Sequence, residues 1–139
     1  MNEQEPTLET TYSNTDLDLK SSFPFDTLNQ EFEKSCCILH YVQTDEGQFS
    51  STIESTLYNQ QHASEDILAL LNVIHSLSPQ ARTELDMCFL RDFNIGFCCG
   101  DTWGYHHRLE PKLVKAIADV GCSISITLYP MRNPDGSLK

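Results

Sequence analysis

The sequence predicts an α+β fold in two layers: a mixed, mainly antiparallel sheet of about four strands with two main helices on one face. Three observations predict it. Large apolar residues fall on every second position in Phe93-Asn94-Ile95-Gly96-Phe97-Cys98-Cys99, and again in Ile124-Ser125-Ile126-Thr127-Leu128, which gives each segment the single inward face of a half-buried strand. Between Ser64 and Leu77, and between Pro111 and Gly121, the apolar period lengthens to three and four, as an amphipathic helix requires. A turn signal, Asp45-Glu46-Gly47, separates two further alternating runs, the arms of a hairpin.

From the N-terminus, Met1 to Ser22 is polar and acidic, with only Leu8, Tyr12, Leu17 and Leu19 as sizeable apolar residues. Its composition reads as a flexible leader, because it offers too little apolar area to offset the entropy of ordering. The folded domain is expected over 23–130. It opens with a short helix to Lys34, in which Phe25, Leu28 and Phe32 stand at helical spacing. The hairpin runs follow, Cys36 to Thr44 and Gln48 to Tyr58, with Phe49, Ser51, Ile53, Ser55 and Leu57 sharing one face.

Ser64 reads as the N-cap of the longest helix. Glu65 and Asp66 occupy its first turn, where the backbone dipole favours negative charge, and Ile67, Leu70, Leu71, Ile74 and Leu77 form its stripe. Leu68 and Val73 widen that stripe, so burial on more than one side is expected. Ser78-Pro79 restarts a helix toward Asp86, a serine capping and a proline filling the first position. Met87 to Leu90 fits either a helix end or a strand. After the strand at Phe93, Gly100-Asp101 breaks the alternation. Pro111 then begins a helix with Leu113, Val114, Ile117 and Ala118 on one stripe, Leu109 and Val114 stand at hydrophobic-staple spacing, and Gly121 ends it. If the last two strands are neighbours and parallel, this helix is their crossover. The segment 131–139 reads as an exposed tail, rich in turn residues.

The chain has 139 residues, 40% of them hydrophobic, enough for one domain with a real core. The start, Met-Asn-Glu-Gln-Glu-Pro, is neither basic nor apolar, and no apolar run reaches the roughly 20 residues of a membrane span. These features predict a cytoplasmic protein whose six cysteines are reduced thiols. Net charge is −11, with 13 acidic against 2 basic residues from Met1 to Asp66 and 7 against 7 from Ile67 onward. A surface of that sign repels nucleic acid and anionic lipid and attracts cationic partners.

Candidate chemistry is sparse. His106-His107 lies near Cys98-Cys99 and Asp101, yet adjacent cysteines in a strand point to opposite faces, and the paired donor spacing of a zinc site is missing. The same holds for Cys36-Cys37. A thiol nucleophile could be assembled from Cys98 or Cys99 with His106 or His40, but no family signature surrounds any cysteine. No Gly-x-Ser-x-Gly, phosphate loop or dinucleotide fingerprint occurs. No catalytic residue, cofactor or metal is therefore expected. Trp103 and Tyr105, in a glycine-flanked loop, have the character of interface anchors, with Tyr12, Phe23 and Phe25 a weaker version of the same idea.

Leu77-Ser78-Pro79, Asn94-Ile95-Gly96-Phe97, Leu109-Glu110-Pro111-Lys112-Leu113 and Ile124-Ser125-Ile126-Thr127-Leu128-Tyr129 together resemble a bacterial family of small domains of unknown function, some encoded beside polymorphic-toxin genes. The resemblance is confined to Leu77–Pro130 and brings no catalytic residue set. What it implies is an immunity protein that neutralises a cognate toxin, a basic nuclease being the expected kind. Asp16, Asp18, Asp26, Glu31, Glu33, Asp45, Glu46 and Glu54 would then steer and cover the partner, with Trp103 and Tyr105 as anchors. The alternatives are a small thiol- or histidine-dependent enzyme and an adaptor unconnected with toxins.

Overall fold

The computed structural model describes residues 8–56, 62–131 and 137. Leu17 and Leu19 are completely buried, and they draw the acidic segment into the fold. Thr11–Ser21 forms β1, the middle strand of a five-stranded sheet, where a flexible leader was expected. The segment is poor in apolar residues but alternates: Thr15, Leu17, Leu19 and Ser21 are buried while Asn14, Asp16, Asp18 and Lys20 point the other way. A strand with neighbours on both edges pairs nearly all its backbone groups, so two leucines and two small polar residues suffice to order it.

Asp26–Glu33 forms α1, and the expected hairpin is Cys36–Gln43 (β2) with Phe49–Ser55 (β3). Gly47 turns it with φ +80°, a conformation glycine adopts without Cβ strain. Ala63–His75 (α2) begins one residue before Ser64. The capping position belongs to His62, whose side chain makes no cap bond. Leu68 is half exposed, so α2 buries one side rather than several; Ile67, Leu70, Leu71 and Ile74 carry its core stripe. Pro79–Met87 (α3) starts as expected, Ser78 Oγ accepting from the Ala81 N–H at 3.2 Å. Leu90–Cys98 (β4), Pro111–Asp119 (α4) and Ser123–Tyr129 (β5) complete the chain order. On α4, Leu113 and Ile117, with Val120 just beyond the helix, turn inward and leave Val114 exposed. Gly121 closes the helix at φ +75°. The expected extension of the hairpin to Leu57 and Tyr58, the start of the leader and most of the tail lie outside the described residues.

The strand order is β2-β3-β1-β4-β5, every pairing antiparallel except β4 with β5, which run parallel with α4 between them in sequence. One face of this sheet carries the core. Phe25, Leu28 and Phe32 of the α1 region, Ile67, Leu70, Leu71 and Ile74 of α2, and Leu85 of α3 pack with Leu17, Leu19, Ile53, Phe93 and Ile95. Each such side chain contributes about 1.5–3 kcal/mol on leaving water. Polar clasps hold the helices to that face. Ser51 Oγ donates to Asn29 Oδ1 at 3.0 Å, the Phe25 N–H donates to the Tyr41 hydroxyl at 2.8 Å, and Glu31 accepts from the Ser78 N–H at 2.8 Å and from its hydroxyl. The buried Asp66 carboxylate accepts from Tyr12 and Ser55, tying the first turn of α2 to β1 and β3. Burial, then the bond to Asp66, holds the Tyr12 phenol protonated far above its ordinary range. Among the described residues no helix is long and apolar enough to cross a membrane.

Candidate partner-binding face

With the described helices clasped to one side, the other side of the sheet is bare. Its central strand presents Asn14, Asp16, Asp18 and Lys20, because the residues alternating with them are committed to the core. Strand register decides what surrounds them. Asp16 lies between Glu54 of β3 and Asn94 of β4, and Asp18 between Thr52 and Asp92. Four carboxylates from three adjacent strands therefore share this stretch of the face as two cross-strand pairs, Asp16 with Glu54 and Asp18 with Asp92, and Lys20, at the far end of β1, is the one lysine or arginine among the described strand residues of this face.

Hydroxyl and amide side chains frame the carboxylates. Thr52 Oγ1 donates to Asp18 Oδ1 at 2.9 Å and lies 3.2 Å from His40 Nε2. Asn14 Nδ2 donates to Asp16 Oδ1 at 3.2 Å. Asp92, the most buried of the four, accepts from Ser123 at 2.7 Å and from Ser125, while Thr127 donates to Asn94 Oδ1 at 2.8 Å. The frame is rigid. A Cβ added to Gly96 would come within 2.7 Å of Asn14 Oδ1 and 2.9 Å of the Tyr129 ring, so glycine is what lets these side chains close over β4.

Like charges directly across a strand pair repel. Partial burial, then the hydrogen-bonded and charged Glu54 carboxyl, then the charge of Asp18, push the Asp16 carboxyl up to about 7. Burial and neighbouring carboxylates together thus disfavour full ionisation of this face.

The residues singled out from sequence divide. Asp16, Asp18 and Glu54 meet on this face. Asp26 and Glu33 are exposed on α1, behind the sheet, and Asp45 and Glu46 are exposed at the β2–β3 turn, away from the cluster. Glu31 is occupied at the Ser78 cap, whose hydroxyl and N–H bonds lower its pKa. Trp103 is fully exposed; Tyr105 rests its ring 5.2 Å from Phe97 and stacks at 6.4 Å on His107, so half of it serves packing. Asp92, His40, Asn14 and Asn94 belong to the face and were not singled out as binding residues. The alternation Asn14-x-Asp16-x-Asp18-x-Lys20 was the available signal, and composition obscured it.

Among the described residues no three His, Cys, Asp or Glu side chains converge in a metal-holding group. Burial raises the Cys36 thiol and pushes Cys88 up to about 12 and Cys122 up to about 11, the reverse of what a nucleophile needs. His107 packs edge-on to Phe97 at 5.2 Å, and its pKa is lowered by burial and then by His62 and His106. No protein-family model, characterised protein or solved structure matches this chain.

Proposed function

We propose that this protein is a cytoplasmic immunity protein that neutralises a basic protein toxin by docking it on the open sheet face. The observation that carries the reading is the carboxylate cluster of the partly exposed Asp16, Asp18 and Glu54 with the buried Asp92, on a face that no described helix covers and with Asp16 driven toward its protonated form. Lysine or arginine side chains from a partner would replace that proton and relieve the repulsion. Arginine suits best, since its planar fork bonds a carboxylate through two parallel N–H groups. The basic residues with which a nuclease grips phosphate have this chemistry, so occupying them blocks substrate. The net charge of −11 would add long-range attraction and a fast, salt-sensitive encounter.

The reading is tested by expressing the reading frame immediately upstream of this gene, alone and together with this protein. Growth arrest relieved by co-expression, and restored when Asp16→Asn, Asp18→Asn and Glu54→Gln are combined, supports it. Arrest that wild-type protein does not relieve refutes it.

A further inference from the structure

The two edges of the sheet are finished differently. On β2 the register slips between Ile38 and His40, a bulge of the kind that keeps an edge from pairing with another chain. β5 has no bulge, no proline within it and no charged residue: Ser-Ile-Ser-Ile-Thr-Leu-Tyr. Among the described residues no strand lies on its outer side. Its core-side residues are also uncovered, Ile126 at 63% and Leu128 at 61% exposure, and Val114 is exposed on the helix that leads into it.

We propose that β5 is the seam of a symmetric homodimer, in which two copies pair antiparallel through this strand to make one continuous ten-stranded sheet. Three features suit the edge to a second copy. The first is hydrogen-bonding parity. Tyr129 gives its carbonyl to the Cys99 N–H, on the β4 side, so the backbone groups of Ser123, Ser125 and Thr127 also turn inward and those of Ile124, Ile126 and Leu128 turn outward. A two-fold axis at Ile126 sets Ile126 opposite Ile126 and Ile124 opposite Leu128, each a pair that exchanges both N–H···O bonds, about six bonds in all.

The second feature is side-chain matching. The same axis joins Ile124, Ile126 and Leu128 of both copies on the helix side, and places Ser125 opposite Thr127 on the other, so apolar meets apolar and hydroxyl meets hydroxyl. The third is charge. A chain of net charge −11 repels its own kind, and β5 is an uncharged strand two places from Asp16, beside a β4 whose Asp92 is buried and hydrogen-bonded by Ser123 and Ser125, so two copies meet there with less repulsion than on the strands that carry the more exposed carboxylates. A basic partner would gain nothing there from the acidity that draws it elsewhere. The seam leaves the acidic faces of both copies open on one side of the joined sheet.

The test uses full-length protein in sedimentation equilibrium from about 1 to 300 μM, and in amide hydrogen exchange read residue by residue. The expected mass at the upper end is that of two 15.8 kDa chains. The Ile124, Ile126 and Leu128 amides should gain protection as concentration rises. Ile126→Lys, which sets two like charges at the axis on an already exposed site, should weaken association by on the order of tenfold or more. Its circular dichroism should be unchanged. A second variant, Leu128→Lys, probes the same seam off the axis and should also dissociate it. A monomer throughout that range overturns the proposal, as does a dimer whose β5 amides stay unprotected or whose affinity survives both substitutions.

Discussion

Replacing Asp16 with asparagine removes one charge from the open face and almost nothing else, since Asn has the same shape and can still accept the Asn14 amide bond. The folded protein holds the Asp16 carboxyl up at about 7 against an ordinary 3.8. Between those values the folded state binds more protons than the unfolded chain, so this group's contribution to stability is lost as pH rises from about 4 to about 7, and the whole penalty applies above that. A difference of that size would be about 4 kcal/mol for a group sealed from water; Asp16 is only partly buried, which brings the expected figure to about 1–2 kcal/mol. Asp16→Asn should therefore be indistinguishable from wild type near pH 4 and more stable by that amount at pH 8, in paired urea titrations. Asp18 on the same strand, Glu54 on β3, Asp92 on β4 and His40 on β2 surround the site in both proteins, so the difference reports the charge of Asp16 together with its effect on these neighbours. High salt should shrink it. A pH-independent difference, or a variant less stable at pH 8, would refute the like-charge strain on which the binding face is argued. The same substitution should weaken capture of a basic partner, a direction opposite to its effect on stability.

Two further outcomes follow from the core and the thiols. Asp66→Ala strips the Tyr12 and Ser55 hydroxyls of their shared acceptor inside the fold and should cost about 2–4 kcal/mol in urea unfolding, with Asp66→Asn costing less; a loss under about 0.5 kcal/mol would mean that water reaches the junction. In native protein at pH 8, a thiol reagent should label the exposed Cys37 and Cys98 first and leave Cys88, about one part in ten thousand thiolate at that pH, untouched until unfolding. Prompt labelling of Cys88 would reverse the order argued from burial.

What the chain determined by itself is local. Ser78-Pro79 starts α3 because a hydroxyl cap and a preset φ act within one turn, and Gly121 ends α4 because only its own backbone must go left-handed. The alternation in β4 and β5 and the turn at Gly47 likewise need no distant partner to be recognised. The cap of α2 was misplaced by two residues because Ser64 and His62 are both compatible with the local pattern, and packing of Ala63 against the core decides between them.

Only the tertiary structure decided the binding face. Asp16, Glu54 and Asp92 are far apart along the chain, and nothing in the short range says that β1 slips between β3 and β4 in the register that sets them side by side. Read alone, Thr11 to Ser21 looks too polar to fold. Two neighbouring strands supply the backbone partners, and the helices packed on the sheet the cover for Leu17 and Leu19, that it cannot supply for itself; ordering the segment brings its charges to bear on those of its neighbours.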